Sequence, residues 1–378
     1  MKFSCKTSDL LSALQLTSRA ISGQQALPIL GNVLINARDG LCTVSATDLE
    51  LSIVTSFPAD IEREGIVTIP AKAFLNAAQY NTDDIVTLEL KEGTQLHCAS
   101  KHSKTLIAGE SANNYPTIAA VEKRTSFAIH PDTLLHALTL VTFTSAKTTL
   151  RPVLSGVSLR SINRDLILVA TDSYRLSEYV LPGVGAPEGM NCIVPVKVLE
   201  ELKMIIASRK PMKKEKEKKE EETLSITLSA QQIELTLHQT RLLSRLIDGK
   251  FPDYQQIIPK GDATSVLFTT QELTSSVKRM HYFAKEVNNN LTFTISTKEA
   301  HIATPQTQLG KDESTISAEA TGPETKIALS SSYLLDFVSH ITEEVLEMRV
   351  TDGMHPAVFR LPNNKHFLHL IMPLRMQG

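Results

Sequence analysis

Hydrophobic and polar positions alternate with two periods along this chain, and the order in which the periods change repeats. "FSCKTSDLLSAL" opens with apolar residues at alternate positions, Phe3 and Cys5, the period of a half-buried strand. A Thr/Ser/Asp cluster able to cap a helix follows. Leu10, Leu11 and Leu14 then share one helical stripe, with Ser12, Gln15 and Arg19 elsewhere. Alternating stretches such as "LCTVSATDLELSIV" and "IVTLELKEGTQLHCAS", separated by Asp/Gly turns, predict antiparallel strands. Second helices are predicted to start after Pro70, Pro195 and Ser330.

The pattern is duplicated. "FAIHPDTLLHAL" sets Phe127, Ile129, Leu134, Leu135 and Leu138 opposite Phe3, Cys5, Leu10, Leu11 and Leu14, 124 residues on. "ATDLELS" at 46–52 returns as "ATDSYRLS" at 170–177, and "TIPAKAFLNAA" returns as "IVPVKVLEELK". A fainter third copy runs through "VLFTTQELTSSV" from Val266 and "ALSSSYLLDFVSHI" from Ala328. A unit this long exceeds the roughly 20–50 residues of solenoid repeats, so each copy is expected to be a whole domain. The predicted domains are 1–124, 125–260 and 261–378, each with two helices over an antiparallel sheet, an α+β class. The run "RKPMKKEKEKKEEE" at 209–222 interrupts the second copy and has almost nothing to bury. It is expected to be a solvated loop, with a partner-docking or DNA-touching arm as the alternative.

Composition adds mainly exclusions. The 378 residues are 42% hydrophobic and 21% charged with a formal net charge of −2, so total charge makes no case for nucleic acid. The opening "MKFSCKTSDLLSALQL" has no secretory pattern and no stretch has membrane-spanning length, giving an expected cytoplasmic location. Cys5, Cys42, Cys98 and Cys192 are scattered singly, as reduced, mostly buried thiols would be. No nucleotide-loop, zinc-protease, serine-hydrolase or calcium-loop spacing occurs. Asp48 and Asp172, in equivalent positions, are expected to bond turn backbone. His366 and His369, three apart in a predicted strand, point to opposite faces and so make a poor metal pair. No catalytic residue, metal or cofactor is assigned. Lysine and arginine on the non-core helix faces read singly as ordinary solvated positions, with a collective surface that touches phosphates without reading bases as the alternative.

Several segments in family order carry a resemblance: "LPILGNVLI" from Leu27, "ATDLELSI" from Ala46, "TIPAKAF" from Thr68, "ATDSYRLS" from Ala170, "LIDGKFPDYQQIIP" from Leu246 and "LIMPLRM" from Leu370. The chain resembles the bacterial DNA sliding clamps, the beta subunit of the replicative DNA polymerase III. The resemblance implies a clamp fold in a head-to-tail homodimeric ring that encircles duplex DNA, independent of sequence. It implies no enzymatic activity and raises polymerase processivity by tethering. Expected partners are the replicative polymerase, the clamp loader, and other polymerases and repair proteins carrying short linear motifs. A three-domain scaffold without DNA-encircling activity is the alternative, and an enzyme with an unrecognised site a third reading.

Carried across by position, the family's peptide pocket falls on Arg151, Leu154, Thr171, Ser173, Tyr174, Arg175 and Leu176. It continues through Pro252, Gln256, Ile257, Met354 and Pro356 to the terminal Leu370, Ile371, Met372, Pro373, Leu374 and Arg375. In the first copy Glu50 and Leu51 stand at the places matching Arg175 and Leu176. Gln24, Lys72, Lys101, Lys104 and Lys197 are expected to meet DNA, and Thr105 and Ile107 to face Tyr282 and Phe283 across the dimer seam. The sequence departs from the family at Gln24 and Gln256, where arginine is common, at Pro152 and Val153, and in ending with Gln377 and Gly378.

Overall fold

The computed structural model describes residues 1–23, 27–91, 93–122, 125–148, 150–209, 222–261 and 263–376. The first copy of the pattern opens with β1 (Lys2–Lys6) and α1 (Thr7–Thr17), then β2 (Asn32–Arg38), β3 (Leu41–Thr47) and β4 (Leu51–Pro58). It continues with β5 (Asp60–Arg63), β6 (Gly65–Pro70), α2 (Ala71–Gln79), β7 (Ile85–Lys91), β8 (Gln95–Ala99) and β9 (Lys104–Ala108). The second begins with β10 (Thr125–Ile129), α3 (Pro131–Val141), β11 (Gly156–Ile162), β12 (Asp165–Thr171) and β13 (Arg175–Leu181). It closes with β14 (Asn191–Pro195), α4 (Val196–Ser208), β15 (Leu224–Leu228), β16 (Gln232–Leu237) and β17 (Thr240–Arg245).

The third copy keeps the order: β18 (Thr264–Thr269), α5 (Thr270–Ala284), β19 (Asn290–Ile295), β20 (Glu299–Ala303) and β21 (Glu313–Ser317). After β22 (Glu319–Thr321) and β23 (Thr325–Ser330) come α6 (Ser331–Val338), β24 (Val345–Val350), β25 (Ala357–Leu361) and β26 (Asn364–Ile371). The second helices begin immediately after Pro70, Pro195 and Ser330, as the pattern requires. Residues 210–221 of the charged run lie outside the described residues, as does Gln24.

The chain divides into two compact units, Met1–Pro131 with Glu201–Leu246, and Asp132–Glu200 with Ile247–Gly378. The first holds a five-stranded sheet, β5-β1-β7-β8-β9, and an eight-stranded one, β10-β15-β16-β17-β4-β3-β2-β6. The second holds a nine-stranded sheet, β14-β11-β12-β13-β26-β25-β24-β18-β22, and a four-stranded one, β21-β20-β19-β23. Both large sheets therefore join strands of successive copies. The last strand of copy two, β17, pairs antiparallel with β4, and the last strand of copy three, β26, pairs antiparallel with β13.

Helix α1 buries Leu10, Ala13, Leu14 and Thr17. Leu11, expected on that stripe, is only half-buried. At about 100° per residue it sits at the rim of the face centred between positions 10, 14 and 17. Phe3, Leu30, Ile35, Leu51 and Phe74 are among the large side chains fully buried in the first unit. In the second unit α5 buries Leu273, Val277, Met280 and Ala284, and α6 buries Leu334, Phe337 and Val338.

Candidate functional site

The twice-written Ala-Thr-Asp phrase is a turn built from its own side chains. Asp48 Oδ1 accepts from the backbone N–H groups of Glu50 (3.1 Å) and Leu51 (2.8 Å). Asp172 Oδ1 accepts from those of Tyr174 (2.9 Å) and Arg175 (3.0 Å). Thr47 and Thr171 donate their hydroxyls to the carbonyls of Leu51 and Arg175. The residue after each aspartate is left-handed, Leu49 at φ 78° and Ser173 at φ 80°. These carboxylates thus satisfy turn donors, as expected of Asx turns.

The matching bonds also correct the alignment of the two copies. Thr47 pairs Ser52 across the β3–β4 hairpin as Thr171 pairs Leu176 across β12–β13, so the 124-residue offset runs through the turn unbroken. The residue matching Arg175 is Leu51, and Glu50 matches Tyr174. Ser52, not Leu51, is the counterpart of Leu176.

Copy two therefore places an arginine where copy one buries a leucine. Arg175 is 5% exposed. A guanidinium there is tolerable only with its donors satisfied, because removing an ion from water costs several kcal/mol. Nε meets Asp172 Oδ2 at 3.0 Å, Nη1 meets Asp336 Oδ2 at 2.6 Å, and Nη2 donates to the Phe143 carbonyl at 3.0 Å. Its plane also lies over Tyr333 (4.9 Å) and Phe143 (5.4 Å), a cation–π arrangement. Two further interior positions changed with it. Ser177 stands where copy one has Ile53, and His369 where it has Leu242. The Ser177 hydroxyl bonds His369 Nδ1 at 2.8 Å, and the ring stacks on Phe337 at 4.2 Å. Burial, then the nearby Arg175 and His340, hold the His369 pKa well below its ordinary value.

Around this interior the predicted pocket residues separate by exposure. Leu154, Thr171, Leu176, Leu370 and Ile371 are buried. Pro356 is buried too. The surface is offered by Tyr174 (62% exposed), Met354 (82% exposed), Arg151, Pro252, Gln256 and Ile257, with Met372, Pro373 and Leu374 half-buried between. Backbone bonds hold the terminal segment: Arg175 pairs Ile371, Met372 N–H donates to the Tyr174 carbonyl, and Leu374 N–H donates to that of Ala328. Asn290 Nδ2 holds the Arg375 carbonyl at 3.1 Å.

The 252–257 segment is clasped by Tyr254, which is buried in one cluster with Val169, Leu176 and Leu370. Arg160 donates to the Tyr254 hydroxyl, which in turn donates to Glu178, and burial raises that hydroxyl's pKa strongly. Gln256 is drawn back to Asp253, its amide 2.6 Å from the carboxylate.

Tyr333 and Asp336 also surround Arg175, and the sequence reading missed both. Tyr333 stacks on Tyr174 (6.4 Å) and Asp336 holds Arg175. They sit three apart on α6, off the face of Leu334 and Phe337, a spacing a helical projection would have exposed. Exposed aromatic, methionine and proline side chains and the exposed Arg151 thus accompany the buried Arg175 interior.

The remaining predicted residues lie elsewhere. Lys72 and Lys197 are exposed second residues of α2 and α4. Lys101 and Lys104 are exposed around the β8–β9 turn. Asp83 braces that turn, accepting from the His102 backbone N–H (2.8 Å) and lying 2.6 Å from its Nδ1. Hydrogen bonds from Ser100 and His102 lower the Asp83 carboxyl to about 2. Thr105 is exposed, but Ile107 is buried in its own unit, so it offers no apolar surface to a partner. Strand alternation puts Leu106, 55% exposed, on the outer face instead. Tyr282 is exposed and packs edge-on against half-buried Phe283.

His366 is exposed and His369 buried, on opposite faces of β26. Among the described residues no cluster of three or more His, Cys, Asp or Glu is placed to hold a metal. Burial raises the thiols of Cys5, Cys98 and Cys192 to about 12, leaving them protonated and unreactive.

Residues 1–119, 128–253 and 255–375 match the family models of the N-terminal, central and C-terminal domains of the DNA polymerase III beta subunit. The chain is 28% identical to the beta sliding clamp of Synechocystis sp. over the full length of both. The crystal structure of the DNA polymerase sliding clamp from Bacillus subtilis superposes with a TM-score of 0.92 at 25% identity, covering all of both chains. A sliding clamp from Bartonella birtlesii, solved bound to griselimycin, matches at 0.91 and 25%, again over both whole chains. The chain belongs to the bacterial DNA polymerase III beta subunit family, the sliding clamps, and is a DNA polymerase processivity factor.

The buried histidine predicts an acid response. His369 stays neutral when folded, whereas the unfolded chain takes up the proton as pH falls below about 6.5. Its contribution to stability is complete above that pH and declines below it. His369→Leu, restoring the copy-one residue, should flatten the fall in the urea midpoint between about pH 7 and 5. An unchanged slope would assign the acid sensitivity to other groups.

Proposed function

We propose that this chain closes head to tail with a second copy into a ring around duplex DNA. In this reading it is a non-catalytic accessory subunit in the cytoplasm that holds polymerases and the clamp loader by peptide segments seated in the Arg175 groove. The observation that carries the reading is a pairing rule. In the two large sheets the last strand of one copy of the pattern pairs with the third strand after the first helix of the preceding copy: β17 with β4, β26 with β13. The last strand of copy one, β9, and the corresponding third strand of copy three, β21, are left as sheet edges. Applied across two molecules, the same rule pairs β9 of one with β21 of the other. Such a contact is heterologous, and it ends in a closed ring when the rotation closes after two chains. Open edges are otherwise an aggregation hazard. Tyr282, Phe283 and Leu106 would flank this seam. The three domains of each chain in this reading span 1–124, 125–260 and 261–378. Among the described residues no helix is long and apolar enough to cross a membrane.

A closed ring needs no tight grip on DNA, because topology keeps it in place while a bound polymerase benefits from high effective concentration. Phosphate contacts from Lys72, Lys101, Lys104 and Lys197 would be sequence-independent and weakened by salt. The exposed aromatic and methionine side chains support peptide anchoring, and exposed Arg151 supports an acidic or carboxyl-terminal neighbour.

Three measurements test these parts separately. Leu106→Asp puts an exposed charge on β9 without disturbing the interior. It should convert the dimer to monomer in light scattering at low micromolar concentration and abolish retention on nicked circular DNA. A persistent dimer would remove β9 from the seam. Alanine at the four lysines should lower the log–log salt slope of duplex binding by about 0.9 for each phosphate that is no longer neutralised. An unchanged slope would place DNA on another face. Met372→Ala should weaken peptide binding by about 1–3 kcal/mol in calorimetry while leaving the dimer intact. Wild-type affinity in the folded variant would overturn the groove assignment.

A further inference from the structure

The pairing rule that builds the Arg175 groove operates once more in the first unit. There the β3–β4 turn lies beside the end of β17, as the β12–β13 turn lies beside the end of β26. Register makes Leu243, Ser244 and Arg245 the counterparts of Leu370, Ile371 and Met372. The segment following copy one supplies Pro116, Thr117 and Ile118, after a buried Tyr115 whose hydroxyl donates to the Asn32 carbonyl. Buried Tyr254 opens the corresponding 254–257 segment in the other groove. These pieces enclose a cleft of about 190 Å³. That is smaller than the roughly 300–1,000 Å³ of sites that engulf a whole small ligand, and suits one or two side chains of a bound chain.

The lining is chemically distinct from the Arg175 groove. Leu49, 48% exposed, is held at φ 78°, a conformation a bulky side chain rarely adopts. The Asp48 and Thr47 bonds hold it there. Leu243 and Ile118 supply further apolar wall. Glu50 takes the place of Tyr174, and Arg245 that of Met372; both are exposed. Neither side chain enters an ion pair among the described residues, although both line the same cleft.

We propose that this cleft is a second peptide-binding site, for an extended segment of a partner protein carrying aliphatic side chains flanked by one basic and one acidic residue. The aliphatic side chains rest on Leu49, Ile118 and Leu243, the basic residue pairs with Glu50, and the acidic residue pairs with Arg245. Because the two grooves differ in charge pattern, they select different segments, and one chain can hold two partners together.

The test uses the full-length protein with labelled leucine and isoleucine methyl groups, titrated with the blocked tetrapeptide Lys-Leu-Leu-Glu. Saturable shifts are expected at the methyls of Leu49, Ile118 and Leu243, and none with the control Lys-Ser-Ser-Glu. Combining Glu50→Lys with Arg245→Glu, both on exposed side chains, should raise Kd about tenfold, the combined effect of losing two exposed ion pairs. Met372→Ala, in the other groove, should leave this binding unchanged. Absence of shifts at millimolar peptide, shifts that survive the double variant, or shifts confined to Leu370 and Leu374 would each overturn the second site.

Discussion

The structure depends on the antiparallel pairing of a strand at the end of one copy of the pattern with a strand in the middle of its neighbour. Each half-sheet alone would leave a row of backbone donors and acceptors unpaired at its edge, at a cost comparable to losing those hydrogen bonds. Pairing β17 with β4 and β13 with β26 removes four such edges, two at each junction. Side chains tighten the first junction, where the buried hydroxyls of Thr55 and Thr240 meet at 2.9 Å. The same geometry brings a tight turn, a following segment and a strand end to one place. At the first junction these pieces line a cleft.

The two junctions show how one backbone supports different chemistry. Their turns share the same Asx bonds and the same left-handed residue. Behind them, Leu51, Ile53 and Leu242 make an apolar interior at the first, whereas Arg175, Ser177 and His369 make a polar one at the second. Replacing hydrocarbon with a guanidinium is unfavourable unless the charge is compensated, and each of its three nitrogens has a partner in Asp172, Asp336 or the Phe143 carbonyl. The return is a fixed arginine and a fixed Tyr174–Tyr333 wall. The ion pairs and the Ser177–His369 bond fix these side chains against one another.

Much of this was legible in the chain. The duplication, the strand and helix order, the helix starts after Pro70, Pro195 and Ser330, and the turn role of Asp48 and Asp172 all rest on local signals. Period-2 and period-3.6 patterns say which face of an element is buried, and proline and capping residues say where it begins. Errors arose where a local pattern had to be placed against distant chain. Ile107 looked like exposed seam surface, but strand alternation turned Leu106 outward and Ile107 into its own core. Glu50 looked like the partner of Arg175 until the hairpin bonds set the register at Leu51. Tyr333 and Asp336 were passed over because their roles depend on α6 lying against the Phe143 segment and β13.

The sequence by itself determined a three-fold α+β pattern, its elements and the identity of its turns, because each is decided by residues within a few positions of one another. Tertiary structure alone decided which strands are neighbours across copies, which edges are left open, and which side chains converge on the two junctions. Those outcomes rest on backbone hydrogen bonds between residues nearly two hundred positions apart, such as Arg175 with Ile371 and Leu51 with Ser244. Backbone donors and acceptors are the same for almost every residue, so the choice of partner leaves little mark in local composition.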